Sequence, residues 1–137
     1  MVSPRRWLDL GLRDIWTPTG PGAWQGSHGS TLSVADVLES VHAIESSEVV
    51  EAHEAWCERH NLNAQQTRME ETEDGLTVLR SFGETSSDEF LLVAHLWKGG
   101  RLSILCFRVP LELLCDEDLA DVLGALIQAR PMEENPR

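Results

Sequence analysis

Three side chains of the types that bind zinc are closely spaced in the segment HEAWCERH, namely His53, Cys57 and His60. Residues three and four apart lie on one face of a helix, where an imidazole and a thiolate can share a metal ion. The segment also resembles the HExxH motif of zinc metalloproteases, but Cys57 stands where that motif has its second histidine. A small metal-binding protein or enzyme that uses these three residues is therefore one alternative.

Against this alternative, closed zinc sites have four ligands and the segment supplies no fourth. In a helix, His53 and His60 would also lie about 10 Å apart along the axis, which fits one ion poorly. We therefore predict that His53, Cys57 and His60 fill the apolar side of a helix, with the imidazoles hydrogen-bonded at its margin. We assign no metal ligand, and we expect the purified protein to contain no stoichiometric metal.

Two further motifs lead to no reaction. His95 and Cys106 are predicted to lie diagonally across a β-hairpin, but a Cys–His nucleophile pair needs an orienting third group and an oxyanion site. The segment GSHGS at residues 26–30 has the residue types of an anion-binding loop, yet it lacks the lysine of a P-loop and follows no predicted strand. We assign no catalytic residue and no cofactor, and we expect that the protein is not an enzyme.

The clearest structural signal is the segment from Phe90 to Val109, where two apolar runs flank Gly99-Gly100. This pattern predicts a β-hairpin with a two-residue turn. The register places Lys98 opposite Arg101, Trp97 opposite Leu102, His95 opposite Ile104, and Val93 opposite Cys106. The first face then carries Leu92, Ala94, Leu96, Leu105 and Phe107, and the second carries Leu91, Val93, Trp97, Leu102, Ile104 and Cys106. Since a hairpin with one solvent-exposed face alternates apolar and polar residues, both of these faces must be covered.

Periodicity and capping residues indicate the other elements. In the N-terminal arm, a short helix is predicted over residues 1–16 and a Pro/Gly-rich loop over 17–30. In the domain, the predicted helices cover 33–45, 48–60 and 116–130, and the predicted strands cover 65–71 and 76–82. The fold class that follows is α+β, an antiparallel sheet of three to four strands with two N-terminal helices and one C-terminal helix packed on it. The predicted organisation is an N-terminal arm and loop (1–30), a single α+β domain (31–130) and a polar tail (131–137).

The chain has 137 residues and a formal net charge of −12. Such a surface repels nucleic acid and anionic membranes, because binding to either depends on basic residues. Cys57, Cys106 and Cys115 are odd in number and lack CxxC spacing, which is typical of reduced cytosolic cysteines. The sequence has no convincing signal peptide and no apolar run that could span a bilayer, so we expect a soluble cytoplasmic protein.

From Asp74 onward, the order of features resembles the YbjN family, whose fold is similar to that of type III secretion chaperones. The similar segments are DGLTVLRSF, DEFLLVAHLWKGGRLSILCFRVP and DEDLADVLGALIQA. They comprise a turn, three strands, a proline at the exit of the third strand and an acid-capped amphipathic helix, over residues 74–128. The resemblance implies a non-catalytic binding or regulatory protein that is commonly dimeric, and it carries over no catalytic residue.

Together these observations predict a small acidic, non-catalytic binding protein that acts as a chaperone-like adaptor or regulator through an apolar sheet face. The residues expected to contact a protein partner are Leu91, Val93, Trp97, Leu102, Ile104 and Arg108. The second hairpin face would be covered by the N-terminal arm, through Trp7, Trp16 or Trp24, or by a second copy in a homodimer. The alternative among binding proteins is an immunity or antitoxin-type inhibitor that covers a basic partner with Glu51, Glu54 and Glu58.

Overall fold

The structure, a computed structural model, describes residues 7–13, 15–26 and 28–131. Within these ranges it contains nine strands, two α-helices and one short 3₁₀ helix. In chain order the elements are β1 (Leu8–Asp9), β2 (Thr17–Gly20), β3 (Ala23–Gln25), β4 (Thr31–Glu39), α1 (Ser46–Arg59), β5 (Leu62–Glu71), β6 (Thr77–Thr85), β7 (Glu89–Lys98), β8 (Arg101–Pro110), the 3₁₀ helix (Leu111–Leu113), α2 (Asp116–Gln128) and β9 (Arg130–Pro131).

Seven strands form one antiparallel sheet in the order β2-β3-β4-β8-β7-β6-β5, and β1 pairs with β9 in a separate two-stranded sheet. The predicted hairpin is confirmed as β7 and β8, with Lys98 opposite Arg101 across the turn. Gly99 has a φ of +59° in this turn, and a side chain at Gly100 would collide with the carbonyl oxygen of Ser40. The glycine pair therefore allows the turn between β7 and β8 to lie in close contact with the backbone of the segment that follows β4.

The predicted arrangement of three helices on a sheet of three to four strands is wrong, because the described chain has two α-helices and a seven-stranded sheet. The main error lies at residues 33–45, where we predicted a helix and the structure has β4 and a loop. The apolar residues there recur at helical spacing, but Val34, Val37 and Val41 are β-branched and favour strands. β4 pairs with β8 along its length, which covers the edge that the apolar hairpin would otherwise expose.

The N-terminal prediction also needs correction. Instead of a helix over residues 1–16, the described part has the short strand β1, which pairs with β9 near the other end of the chain. The loop predicted over residues 17–30 contains a β2–β3 hairpin, and β3 joins the large sheet through β4. The first six residues of the predicted helix and the last six of the predicted tail lie outside the described residues.

The other predicted elements are confirmed with shifted ends. The helix predicted over residues 48–60 is α1, and the helix predicted over residues 116–130 is α2, which begins at Asp116 with Cys115 as its N-cap and ends at Gln128. The strand predicted at a sheet edge is β5, which pairs only with β6.

The first face of the hairpin forms the main hydrophobic core. The apolar side of α2 packs on it with Val122 and Leu126, and the N-terminal segment adds Trp7 and Trp16. Trp16 meets Phe107 edge-on, with ring centroids 6.1 Å apart. Trp24 is also packed against this core. The tryptophans expected on the second face therefore cover the first.

The second face is covered by α1. Val49 of the helix packs with Leu79, Trp97 and Leu102. A neighbouring cluster joins Trp56 and Cys57 of the helix to the buried side chains Leu62, Leu91 and Val93. α1 covers the part of the second face that carries Leu91, Val93, Trp97 and Leu102, where we expected the N-terminal arm or a second chain. Ile104 and Cys106, on the same face, are only half-buried.

Candidate functional site

α1 separates His53, Cys57 and His60, the three residues weighed as an alternative zinc site. His53 points into the protein and is 2% exposed, with Nδ1 2.8 Å from His95 Nδ1 and Nε2 2.7 Å from Ser81 Oγ. His60 instead stacks on Trp56, with ring centroids 3.7 Å apart, and its Nδ1 donates to the Trp56 carbonyl oxygen at 2.8 Å. Both ring nitrogens of His53 are thus engaged by protein groups, and the structure does not arrange the motif around a common ion.

A chain of hydrogen-bonded polar side chains leads from the exposed Thr67 to the buried Ser81, His53 and His95 beneath α1. The Thr67 hydroxyl lies 2.7 Å from the Ser81 hydroxyl, which contacts His53, and His53 contacts His95. Burial lowers the pKa of each histidine to about 4, and the neighbouring His95 also lowers the pKa of His53. The Cys57 thiol lies beside Ser81, and burial raises its pKa. All these groups are therefore uncharged near neutral pH.

In the series Ser81, His53 and His95, the hydroxyl could serve as a nucleophile, the first imidazole as its base and the second imidazole as the group that orients the base. However, Ser81 is 1% exposed and His53 is 2% exposed, so a substrate cannot reach the hydroxyl in this conformation. The chain instead satisfies polar groups that α1 buries against the sheet. Ser81 and Thr67 could not be recognised from the sequence, because their strand neighbours carry no motif.

The structure does not pair His95 with Cys106 as a nucleophile and its base. His95 Nδ1 faces His53, and Cys106 lies beside Arg108. Burial is the main cause of a raised pKa at the Cys106 thiol, although Arg108 opposes it. A reactive cysteine requires a lowered pKa, so the electrostatics oppose a catalytic role for this thiol.

Of the predicted partner-contacting residues, four lie beneath α1 and two lie beside it. Leu91, Val93, Trp97 and Leu102 are buried, whereas Ile104 and Arg108 are half-buried. The strand register places Ser33, Ala35 and Leu38 of β4 beside Cys106, Ile104 and Leu102 of β8, on the same side of the sheet. Ser33, Ala35 and Leu38 are exposed, so no described element covers this part. We call Ser33, Ala35, Leu38, Ile104, Cys106 and Arg108 the open half-face.

The acidic side chains of the alternative prediction lie on the outer side of α1. Glu51, Glu54 and Glu58 are all exposed, and their spacing places them along one side of the helix. They form a negatively charged strip on the surface of the helix that covers the second face.

A different set of metal-binding side chains meets at the start of α2. His28 Nδ1 lies 3.5 Å from Cys115 Sγ and 3.5 Å from Asp118 Oδ2. The Ser30 hydroxyl donates to the same carboxylate oxygen at 3.0 Å, and Asp118 Oδ1 is buried without a hydrogen-bond partner. Among the described residues, this is the only group of three such donors whose ligand atoms all lie within 4.8 Å of one another.

The fold assembles this group from distant parts of the chain. His28 lies in the loop between β3 and β4, which Gly29 turns with a φ of +80°. Cys115 is the N-cap of α2, and Asp118 lies in its first turn. From the sequence, we predicted that His28 lies in the Pro/Gly-rich loop over residues 17–30 and that Cys115 is a reduced cysteine. The available signal was the CxxD spacing at a helix start, but the histidine is 87 residues away from Cys115.

Comparisons with models of known protein families and with curated proteins find no match for this chain. The resemblance to the YbjN family over residues 74–128 therefore stays a prediction. In the part of the chain that the structure describes, neither helix combines the length and the apolar character needed to cross a membrane.

Proposed function

We propose that this protein is a non-catalytic binding protein, an adaptor or regulator, that holds another protein on the open half-face. The observation that supports the proposal is the exposure of Ser33, Ala35 and Leu38 on a sheet face whose other half is sealed by α1. Small side chains on an extended sheet allow a second surface to approach closely. Packing of a second layer on such a face is the usual way in which sheets are completed.

The chemistry of the open half-face suits a protein partner. Its centre holds the apolar side chains of Ala35, Leu38 and Ile104, and Leu38 is 47% exposed. At its margin, Arg108 forms an ion pair with Glu89 at 3.8 Å. Protein interfaces commonly combine an apolar centre with a polar rim. Of the predicted contact residues, Ile104 and Arg108 would then contact the partner. The four that are buried beneath α1 would pack in the core next to this surface and would not contact the partner.

A second copy of this chain is the partner to test first. In a dimer with two-fold symmetry the same patch serves on both subunits. Val37 in β4 and Val41 in the loop after it are also apolar and exposed, at 54% and 96%. Burial of such side chains against a second copy would stabilise the dimer by about 25 cal/mol for each Å² of apolar surface removed from water.

The test compares two identical substitutions at exposed alanines. Ala35→Glu places a carboxylate in the centre of the open half-face, whereas Ala52→Glu places one on the outer side of α1. We expect Ala35→Glu to weaken self-association, measured by light scattering and sedimentation, by tenfold or more, which corresponds to about 1.4 kcal/mol. We expect Ala52→Glu to associate as the wild type does.

One result would exclude a second copy as the partner, and another would exclude the open half-face as the binding surface. A wild type that stays monomeric at high concentration excludes the second copy, and the same pair of variants then tests capture of other proteins. If Ala35→Glu associates and captures partners as well as Ala52→Glu does, the open half-face is not the binding surface.

The second candidate function is an inhibitor of a basic partner, which the exposure of Glu51, Glu54 and Glu58 favours. Ionic strength separates the two functions, because exposed charge pairs are screened by salt and apolar burial is not. Binding through the glutamates should weaken steeply between low and high salt, and it should be lost in a Glu54→Gln, Glu58→Gln variant. Binding that is insensitive to both changes supports the open half-face.

A further inference from the structure

The donor atoms of Cys115 and Asp118 lie at distances from His28 Nδ1 that a tetrahedral metal ion imposes, and all three donor atoms lie within 4.8 Å of one another. Zinc lies about 2.0–2.1 Å from nitrogen, 2.3 Å from sulfur and 2.0–2.2 Å from oxygen, so tetrahedral neighbours are about 3.3–3.7 Å apart. The distances from His28 Nδ1 to Cys115 Sγ and to Asp118 Oδ2 are both 3.5 Å. The three side chains can therefore surround one ion with little movement.

Asp118 independently indicates a ligand at this place. Its side chain is 2% exposed, and its Oδ1 makes no hydrogen bond. A buried carboxylate oxygen without a partner is costly, and native proteins keep few such atoms. A cation that contacts both oxygens of the Asp118 carboxylate would supply the interaction that Oδ1 lacks and balance the charge.

The surroundings of Asp118 have the features of the outer shell of a metal site. Ser30 is fully buried, and its hydroxyl donates to Asp118 Oδ2 at 3.0 Å. Hydrogen bonds of this kind fix the orientation of metal ligands. The His28 side chain is 50% exposed, so an ion can enter from solvent on that side.

We propose that His28, Cys115 and Asp118 bind a divalent transition-metal ion of the zinc type, with solvent water in the fourth position. The combination of nitrogen, sulfur and oxygen donors favours zinc over magnesium or calcium, which prefer oxygen ligands alone. Three protein ligands and an open position are typical of zinc sites that bind a further ligand. The thiol of Cys115 loses its proton to solvent as the sulfur–metal bond forms, so each bound ion releases one proton.

Cobalt(II) is the probe for the sulfur ligand, because a thiolate bound to cobalt gives a charge-transfer absorption band. We expect metal-free wild type to develop this band and to saturate at one ion per chain. Cys115→Ser should abolish the band, and it should fold, because serine is a favourable N-cap residue. Cys57→Ser, which changes a half-buried cysteine in α1, is the matched control and should keep the band.

Zinc affinity, measured by competition with a chelator, tests the other residues. We expect Ser30→Ala to weaken zinc binding by about 10–100-fold and His28→Asn, which removes a ligand, to weaken it at least as much. His42→Asn, at an exposed histidine, should leave it unchanged. Asp118→Asn should also weaken binding, although this buried position is the one where a variant could fail to fold. The proposal is overturned if wild type gives no cobalt band, or if Cys115→Ser and His28→Asn bind metal as the wild type does.

Discussion

The buried pair of His53 and His95 should make the stability of this protein fall in mild acid. In the folded chain the pKa of each imidazole is lowered from 6.5 to about 4, mainly by burial. Between these two pH values the unfolded chain binds protons that the folded chain does not bind. Protonation therefore favours unfolding, and the stability present above pH 6.5 is lost progressively as the pH falls toward 4.

The hydrogen-bond geometry explains why the pair resists protonation. Its two Nδ1 atoms are 2.8 Å apart, so one must donate and the other must accept. His53 Nε2 can accept from Ser81 or donate to it, which allows the pair to hold one proton beyond the neutral state. A second proton would place two N–H groups head to head, and every added charge would be buried. The two histidines therefore titrate as a unit.

The expected loss is large enough to measure. A histidine whose pKa falls from 6.5 to about 4 on folding contributes a loss of about 2 kcal/mol between pH 7 and pH 5, and the pair contributes about 4 kcal/mol. Carboxylates add their own pH dependence, so the informative quantity is the difference between variants. His95→Gln keeps a group that can hydrogen-bond to His53 but removes one titrating site.

Urea unfolding followed by tryptophan fluorescence at the two pH values gives the required free energies. We expect His95→Gln to be less stable than wild type at pH 7 but to lose about 2 kcal/mol less on acidification. His42→Gln, which changes an exposed histidine, should keep the slope of the wild type. An equal loss in wild type and His95→Gln would refute the assignment of the pH dependence to this pair.

Two further predictions concern stability. Gly100→Ala should destabilise the protein by more than about 1 kcal/mol in urea unfolding, because its Cβ would collide with the Ser40 carbonyl oxygen. Its matched control, Gly124→Ala in α2, meets no atom within 4 Å and should raise stability by up to about 1 kcal/mol through helix propensity. Trp7→Phe should cost about 1–3 kcal/mol by the same measurement, since it removes the buried hydrogen bond of 2.7 Å from Trp7 Nε1 to Ser103 Oγ. A wild-type midpoint in that variant would contradict the role of this bond.

The β7–β8 hairpin could be predicted to the exact residue pair because local rules determine it. A glycine pair between apolar runs specifies a two-residue turn, and the turn then specifies the register. Its apolar character on both faces also predicted a cover for each. The same rules gave α1, α2 and β5, since each has its own periodicity or turn residues.

Residues 33–45 could not be assigned correctly from local rules. Their apolar spacing suits a helix, whereas Val34 and Val37 suit a strand, and the choice depends on the free edge of β8. Only the tertiary pairing of Thr31–Glu39 with Arg101–Arg108 resolves this conflict. The fold class was wrong for that reason, and the loss of a predicted helix also left one half of a sheet face open.

The two candidate binding places meet at the connection between β3 and β4. His28 and Ser30 lie in this connection, while Ser33 and Ala35 of β4 lie on the open half-face. Gly26 N–H donates to the Ser30 carbonyl oxygen at 2.9 Å, so the loop is held to its own strands. A metal ion would join this loop to the first turn of α2, which packs on the opposite face of the sheet. Metal binding should therefore stabilise the position of β4 from the face of the sheet opposite the open half-face. It would leave the surface that a partner contacts unoccupied.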